Sequence, residues 1–241
     1  MSLVLPARLL TVDSMTALRP TRTVLALSAA IVMIAGLATA FADFTVYQND
    51  FGSKAEFKEI YRSGGAKACD RRFRHKSKSM VASVMRGKTT CSFRPPVQGD
   101  SELPNHTMTV EGKILKKTAK SVRGGAFLEV TVRAGGEGGG YTLRVLPHKH
   151  RFELQRTPGG TEFPVVGRDK AINRVNELNT LSLTARGAKI TASVNGKELA
   201  SVDDSNPGQV LGTKVRFSVG NAKQKAKPVV ATFRRVAVAV P

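Results

Sequence analysis

Hydrophobic and polar residues alternate with a period of two over most of the chain after residue 42. In the segment FLEVTVRA, Leu128, Val130 and Val132 fall on one face and Glu129 and Thr131 on the other. The same pattern recurs in YTLRVLP, RFELQR, LSLTARGAKITASV, KVRFSVG and ATFRRVAVAV. A strand with one apolar face buries that face against a second layer. The pattern therefore predicts an all-β fold, a sandwich of two antiparallel sheets.

Turn-forming residues separate these segments. Arg186-Gly187 and Asn195-Gly196 predict two-residue hairpin turns, because such turns require positive φ values. The stretch AGGEGGG predicts a loop between two strands, and DDSNPG predicts a turn that its proline keeps out of any central strand.

A helix is predicted in one segment of the sandwich, SKAEFKEIY (53–61). Ser53 and Glu56 have the spacing of a capping box, in which each side chain bonds the backbone of the other residue. There is no internal repeat and no long linker, so residues 43–241 are predicted to form one domain.

The N-terminus has the order of parts found in a secretory signal peptide. Arg19 and Arg22 precede an uncharged run, residues 24–42, which ends in Ala-Phe-Ala before Asp43. A run of this length also suits an uncleaved helix that anchors the protein in a membrane.

Residues 1–42 are thus predicted to be a signal peptide or a membrane anchor, a hydrophobic helix preceding the sandwich. Met15 is an alternative start to Met1. Under both hypotheses the domain is exported. It is predicted to be secreted, or to be tethered to the outer face of the cytoplasmic membrane with membrane contact through residues 24–42.

The charge balance narrows the choice of partners. Thirty-eight Lys and Arg residues against 18 Asp and Glu give a net charge of +20. Such a surface attracts polyanions, whether nucleic acid, an acidic cell-wall polymer or anionic lipid. The alternative is that the positive charge only keeps the protein soluble. Export and the lack of exposed aromatic residues between the basic ones argue against nucleic acid and for an anionic glycan or cell-envelope polymer.

The two cysteines, Cys69 and Cys91, are predicted to form a disulfide. A single pair in an oxidising compartment is most simply a bridge. Their spacing is not C-x-x-C, and neither has the neighbouring ligands of a zinc site.

The order of segments resembles a known superfamily. DFTVYQNDF opens the domain, GGYTLRVLPHKHRFELQR lies in the middle and VVATFRRVAVAV closes it, and the most specific stretch runs from Asn179 to Asp203, with NTLSLTARG followed by VNGKELASVD. The chain resembles the concanavalin A-like lectin and glucanase superfamily, in particular jelly-roll domains similar to the bacterial 3-keto-disaccharide hydrolase domain family. The resemblance implies a two-sheet jelly roll whose first and last strands are neighbours. Members of that superfamily bind glycans, cleave them or serve as accessory modules.

Retaining glycanases of this superfamily carry E-x-D-x-(x)-E on one strand, and this chain has no such motif. Glycoside hydrolysis needs two carboxyl groups several ångströms apart. Glu129 and Glu153 each stand alone on a predicted strand, although the sheet could still bring the two strands together. A solvated strand face is the simpler interpretation of both.

Metal and cofactor sites are not predicted. His148 and His150 would share a face of an extended strand, but no carboxylate or cysteine accompanies them. Asp203, Asp204 and Asn206 offer oxygen atoms to calcium, yet their types are equally those of a turn. No G-x-S-x-G, Walker or H-E-x-x-H motif occurs.

Basic side chains are the predicted ligand-binding groups. The chain has no Trp and three Tyr, so a stacking site for neutral sugar is not expected. Arg133, Arg144 and Arg151 are predicted on the polar faces of central strands, where guanidinium groups can bind carboxylate or phosphate in a bidentate way. Glu129 and Glu153 are the other candidate ligand-binding residues.

The sequence therefore predicts an exported, non-catalytic binding or envelope-associated module for an anionic glycan or cell-wall polymer. The alternative is a polysaccharide lyase or glycoside hydrolase of the same fold with a non-standard site. A lyase is the better rival, because an Arg that neutralises an acidic sugar beside a Tyr or His base would suffice.

Overall fold

Two antiparallel sheets make up the described part of the chain. The structure is a computed structural model that describes residues 43–63, 68–97, 105–135, 139–157, 162–205, 212–225 and 227–240. Its strands are β1 (Phe44–Asn49), β2 (Tyr61–Arg62), β3 (Cys69–Arg74), β4 (Ser79–Val84), β5 (Thr89–Arg94), β6 (His106–Ile114), β7 (Ala126–Ala134), β8 (Gly140–Leu146), β9 (Arg151–Thr157), β10 (Glu162–Arg168), β11 (Asn179–Arg186), β12 (Lys189–Val194), β13 (Lys197–Asp203), β14 (Lys214–Asn221) and β15 (Val229–Val240). Its helices are α1 (Lys54–Glu59) and α2 (Lys120–Arg123), with a 3₁₀ turn at Pro147–Lys149.

The eight-stranded sheet has the order β13-β12-β11-β6-β15-β4-β3, and β1 is its eighth strand. The seven-stranded sheet has the order β10-β9-β8-β7-β14-β5-β2. Every strand pair is antiparallel, so the prediction of a two-sheet antiparallel sandwich is confirmed.

The first and last strands pair, as the resemblance implied. Strand β15 is long enough to serve two partners on one side: Val229–Phe233 pairs with β4, and residues 236–240 pair with β1. The register against β6 shifts between Phe233 and Arg235, where β15 passes from one partner to the other. An irregularity of this kind bends a strand locally.

Alternate residues of both sheets meet in one apolar core. Phe93 and Phe217 come from the seven-stranded sheet and Phe233 from the eight-stranded one. Their rings lie 4.9–6.4 Å apart between centroids and are fully buried. Aromatic contacts at this spacing contribute beyond their buried area.

The predicted disulfide between Cys69 and Cys91 is confirmed, with Cα atoms 5.6 Å apart. It joins β3, at the edge of the eight-stranded sheet, to β5 of the seven-stranded sheet. The bridge closes a loop with a sequence separation of 22. Such a loop contributes about 3 kcal/mol through the unfolded state.

Helix α1 lies where the capping-box spacing predicts it. The Ser53 hydroxyl accepts a hydrogen bond from the Glu56 amide at 3.2 Å, and the Glu56 carboxylate accepts one from the Gly52 amide at 2.9 Å. Helix α2 was not predicted. It has four residues, and its N-cap Ala119 makes no capping hydrogen bond with its side chain, so the sequence carries no start signal there.

The two hairpin turns join β11, β12 and β13. At the second turn, Asn195 and Gly196 both have positive φ, as predicted. At the first turn, Gly187 has positive φ but Arg186 still pairs with Lys189. The loop residues there are therefore Gly187 and Ala188, one position further along than predicted.

Residues 1–42, including the predicted leader or anchor at 24–42, lie outside the described residues. Within the described residues, neither helix has the length and apolar character that crossing a bilayer requires. The chain from Asp43 onward forms one compact unit.

Candidate functional site

A line of side chains, mostly polar, crosses the outer face of the seven-stranded sheet. Strand register places one residue from each of six neighbouring strands in this line. We call it the central row, and its members are Ser92, Ser218, Glu129, Arg144, Glu153 and Val166. The side chains that flank the members point into the core, because side chains alternate across a strand; Gly167, after Val166, has no side chain.

Arg144 lies between the two carboxylates of the central row. Its Nε is 2.7 Å from Glu129 Oε1, and its Nη1 is 3.4 Å from Glu153 Oε2. Arg151 contacts the other oxygen of Glu153, with Nη2 at 2.9 Å. The sheet therefore brings Glu129 and Glu153 together, which a solvated strand face would not require, and it places a guanidinium group between them.

Neutral polar groups surround these charges. Gln155 Nε2 donates to Glu153 Oε2 at 3.4 Å. On the adjacent positions of β7 and β8, the hydroxyl oxygens of Thr131 and Thr142 lie 2.9 Å apart. A face with closely spaced donors and acceptors matches the hydroxyl groups of a sugar.

Phe127 supports Arg144 from below. The guanidinium carbon of Arg144 lies 4.3 Å from the centroid of the Phe127 ring, within cation–π range. Phe127 pairs with Gly220 of β14, and a side-chain carbon at position 220 would collide with the ring. The glycine thus leaves the space in which the ring lies, and the guanidinium group of Arg144 packs over that ring.

Burial governs the ionisation of this face. Glu129 is 7% exposed, and this burial raises the pKa of its carboxyl. Arg144 opposes that shift by its charge and hydrogen bond, whereas Glu153 adds to it. Burial also lowers the pKa of the Arg216 guanidinium on β14; Glu129 opposes this shift and Arg94 adds to it. The charges therefore lie close together in a partly desolvated layer.

Apolar surface lies exposed at both edges of the face. Tyr61, on β2, pairs with Arg94 and is 53% exposed. Val166, on β10, ends the central row at the opposite edge and is 50% exposed. Tyr61 was not predicted as a site residue, because it lies at the end of the predicted helix. In the structure α1 stops at Glu59 and Tyr61 begins a two-residue strand.

Arg133 does not lie beside Arg144 and Arg151, and its side chain is not on the polar face of its strand, where it was predicted. It has a φ of 50°, and the register of β7 against β14 is irregular nearby, which turns its side chain inward. Its Nη2 donates to the Gly187 carbonyl at 2.7 Å, and its guanidinium carbon lies 5.8 Å from the Tyr141 ring centroid. Arg133 thus ties β7 to the β11–β12 hairpin of the other sheet.

A second set of charges, which we call the buried cluster, consists of Arg156, Asp204 and Tyr141. Arg156 Nη1 contacts both oxygens of Asp204, at 2.7 and 2.9 Å, and the Tyr141 hydroxyl donates to the same carboxylate. All three residues are buried. Burial and the contact with Asp204 raise the pKa of Tyr141 to about 12. Asp204 was predicted only as a turn former or calcium ligand, and nothing in its DDSNPG context indicates a buried partner.

Among the described residues, no group of three or more His, Cys, Asp and Glu side chains is placed to hold a metal ion. His148 and His150 do not share a strand face, because they lie in and just after the 3₁₀ turn between β8 and β9. Asn206, one of the three residues considered for calcium, lies outside the described residues.

Comparison with known proteins identifies the fold. No family model matches the chain, and no curated protein matches it. Among solved structures, a Bacillus subtilis protein of unknown function with a galectin-like fold has a TM-score of 0.58 and 15% identity, covering 82% of this chain and 97% of that one.

Two further structures show the same fold. A β-glucanase from Bacillus licheniformis has a TM-score of 0.57 and 10% identity, with 82% of this chain and 98% of that chain covered. The carbohydrate-binding module CBM66 from Bacillus subtilis has a TM-score of 0.51 and 12% identity, with 75% and 95% covered. The described chain therefore has the concanavalin A-like jelly-roll fold that its sequence pattern resembled.

Proposed function

We propose that this protein is an exported, non-catalytic module that binds an anionic glycan or cell-envelope polymer across the outer face of its seven-stranded sheet. The observation that carries the proposal is the central row, in which Arg144 on β8 lies between Glu129 on β7 and Glu153 on β9 and contacts both carboxylates. This row offers charged donors and acceptors over the span of several strands, as a flat polar ligand requires.

The excess of positive charge on this face supports an acidic ligand. Strand register places five arginines there against two glutamates: Arg94, Arg144, Arg151, Arg168 and Arg216 against Glu129 and Glu153. Guanidinium groups bind carboxylate and sulfate groups in a fork geometry. That two proteins of the same fold are named as a carbohydrate-binding module and a β-glucanase also supports a glycan.

Export is part of this proposal. An arginine-flanked apolar run at 24–42 and a disulfide between Cys69 and Cys91 both suit a protein outside the cytoplasm. Cell fractionation with N-terminal sequencing of the mature protein tests it. A cytoplasmic protein that retains residues 1–42 would contradict it.

The binding test starts from a glycan array of neutral, carboxylated and sulfated chains, read at low and at physiological salt. Calorimetry then compares the selected chain with wild type, Arg144→Gln, Gln155→Ala and the control Thr109→Ala, which lies on the outer face of the other sheet. We expect Kd to rise about tenfold or more for Arg144→Gln, to rise less for Gln155→Ala and to stay unchanged for the control. Equal affinity of all four proteins would overturn the proposal.

A second candidate function is hydrolysis or lysis of a polysaccharide at the same place. The observation in its favour is Glu129, a buried carboxyl with a raised pKa beside a second glutamate, as in an acid and base pair. The arrangement opposes it, because a scissile bond must lie between the two carboxyl groups. Here the Arg144 guanidinium lies there and contacts both.

Turnover assays separate the two candidates. Acidic and neutral polysaccharides are incubated with wild type, Glu129→Gln and Arg144→Ala, and reducing ends and unsaturated products are measured. The binding module gives no product with any of the three proteins. Product that appears with wild type and disappears with Glu129→Gln would establish the enzyme instead.

A further inference from the structure

A cavity of about 460 Å³ opens beside the central row, where the β8–β9 connection meets the segment after β10. We call it the basic pocket. Its lining residues are Lys149, His150, Arg168, Asp169, Lys170 and Arg174. The volume is within the range of pockets that bind small molecules or single sugar residues.

Positive charge dominates the basic pocket. Four of the six lining residues are cationic, and within the described residues none of the four takes part in an ion pair. The one carboxylate, Asp169, is already bound to Lys197 Nζ at 2.7 Å and to the Ala171 amide at 2.8 Å. The Lys197 hydrogen bond holds the pKa of Asp169 below its usual value. The positive charge of the pocket is therefore left for a ligand.

Hydrogen bonds fix one wall of the pocket before any ligand arrives. His150 has a left-handed conformation, and its Nδ1 lies 2.6 Å from the Ile172 carbonyl oxygen. Arg174 Nε donates to His150 Nε2 at 3.2 Å, so Nε2 is the acceptor and Nδ1–H the donor of a neutral imidazole. This arrangement anchors Arg174 through Nε. Within the described part of the chain its two terminal nitrogens make no hydrogen bond, so they can bind an oxyanion.

The pocket continues the polar face. Arg168 pairs with Arg151 across β9 and β10, and Arg151 contacts Glu153 of the central row. A chain of sugars that lies along the face reaches Arg168 through Arg151. The ligand that fits this path has a hydroxyl-rich body and an acidic substituent.

We infer that the basic pocket is the subsite for the oxyanion of an acidic glycan, a carboxylate or a sulfate, whose sugar rings lie on the central row. This inference rests on the proposed function and adds the chemical feature that the protein selects. Arg168 and Arg174 supply guanidinium groups, and Lys149 and Lys170 supply compact positive charge.

Matched ligands test the inference. The first pair is a short oligogalacturonate and its fully methyl-esterified form, which has the same sugars without the charge. The second is a sulfated galactan oligosaccharide and its desulfated form, which has the same neutral sugars and no charge. Calorimetry at physiological salt compares wild type with Arg174→Gln, Arg168→Gln and the control Lys189→Gln, an exposed residue of β12 in the other sheet.

We expect the Arg174→Gln and Arg168→Gln variants to bind the charged member of one pair about tenfold more weakly than wild type. Both variants bind the uncharged member as wild type does, and the control changes neither affinity. Dependence on the first pair identifies a carboxylate, and dependence on the second identifies a sulfate. The inference would be overturned if both variants bound both charged ligands with wild-type affinity. It would also be overturned if the affinities for the charged and the uncharged member of a pair fell equally.

Failure of the pocket and failure of the proposed function are distinguishable. If Arg144→Gln abolishes binding while the two pocket variants bind normally, the face binds glycan and the pocket does not contribute. If wild type binds none of the four oligosaccharides, the proposed function fails for these ligands. In that case, NMR titration with inorganic sulfate decides the pocket: saturable shifts at residues 149–150 and 168–174 support an oxyanion site, and shifts that vanish with salt alone contradict it.

Discussion

The central row and the buried cluster are both built from arginine and carboxylate, but they differ in their access to solvent. In the buried cluster, Arg156 and Asp204 have side chains that are 5% and 0% exposed. In the central row, the Arg144 side chain is 27% exposed and that of Glu153 is 12% exposed. The first set is closed to any ligand, whereas the second presents part of each charged group at the surface.

The difference separates a structural from a recognition role. The fully buried ion pair has already lost its hydration, so its contribution to stability depends on the presence of both partners. The partly exposed pair keeps some hydration, and a polar ligand can replace that water with hydrogen bonds. Substitutions in the two sets are therefore expected to change different measurements.

The largest effect is expected from Asp204→Asn in the buried cluster. Arg156 would lose the carboxylate that neutralises it inside the protein, which lowers the free energy of unfolding by about 3–5 kcal/mol. Denaturant unfolding measures the loss. The neighbouring exposed residue provides a matched control, and Asp203→Asn is expected to change stability by about 0.5 kcal/mol or less. Equal free energies of unfolding for Asp204→Asn and Asp203→Asn would mean that the buried cluster does not stabilise the fold.

Glu129→Gln tests the electrostatics of the central row. A carboxyl with a raised pKa binds its proton more tightly when folded, so its stabilising effect is largest at low pH and is lost as pH rises through the folded-state pKa. We expect the stability of wild type relative to Glu129→Gln to fall with rising pH in the range above about pH 4, where the carboxyl of the unfolded chain ionises. Thermal unfolding across this range measures it, with Glu111→Gln on the other sheet as the control. A relative stability that rises with pH would show that the Arg144 pair outweighs burial.

The smallest change in stability is expected from Arg151→Gln. Its side chain is 36% exposed, and an ion pair of this kind contributes about 0.5 kcal/mol or less. The affinity for an acidic glycan is nevertheless expected to fall, because Arg151 links the central row to the basic pocket. Unfolding and calorimetry on the same preparation test both statements, with the exposed Arg234→Gln as the control. A large loss of stability would place Arg151 with the structural set.

The fold follows from the sequence because alternation is a local signal. One apolar face per strand and Asn195-Gly196 at a hairpin are visible within a few residues, and both lead to the observed sheets. The irregular point at Arg133 is different. Arginine is not a residue type that favours positive φ, so the irregularity has no signal in the sequence. Strict alternation therefore predicted the side chain on the face of the strand opposite to the one it occupies.

The site is only partly predictable for a related reason. Arg144, Arg151, Glu129 and Glu153 could be assigned to polar strand faces, and they do meet on one face. That Arg144 would lie between the two carboxylates depends on the register of three strands, which the sequence does not encode locally. The basic pocket combines a turn with a segment some 20 positions later along the chain, and no motif connects them.

Glycan binding at the central row is tested most directly by following backbone amide shifts in NMR spectra while a short acidic glycan chosen from the array is added. We expect saturable shifts on β7, β8 and β9 around Glu129, Arg144 and Glu153, extending to Arg168 and Arg174. The hydroxyl-rich face of the other sheet, around Thr109 and Ser182, serves as the internal reference and stays unchanged. Shifts confined to that other face, or no shifts on the central row at saturating glycan, would contradict glycan binding at the central row.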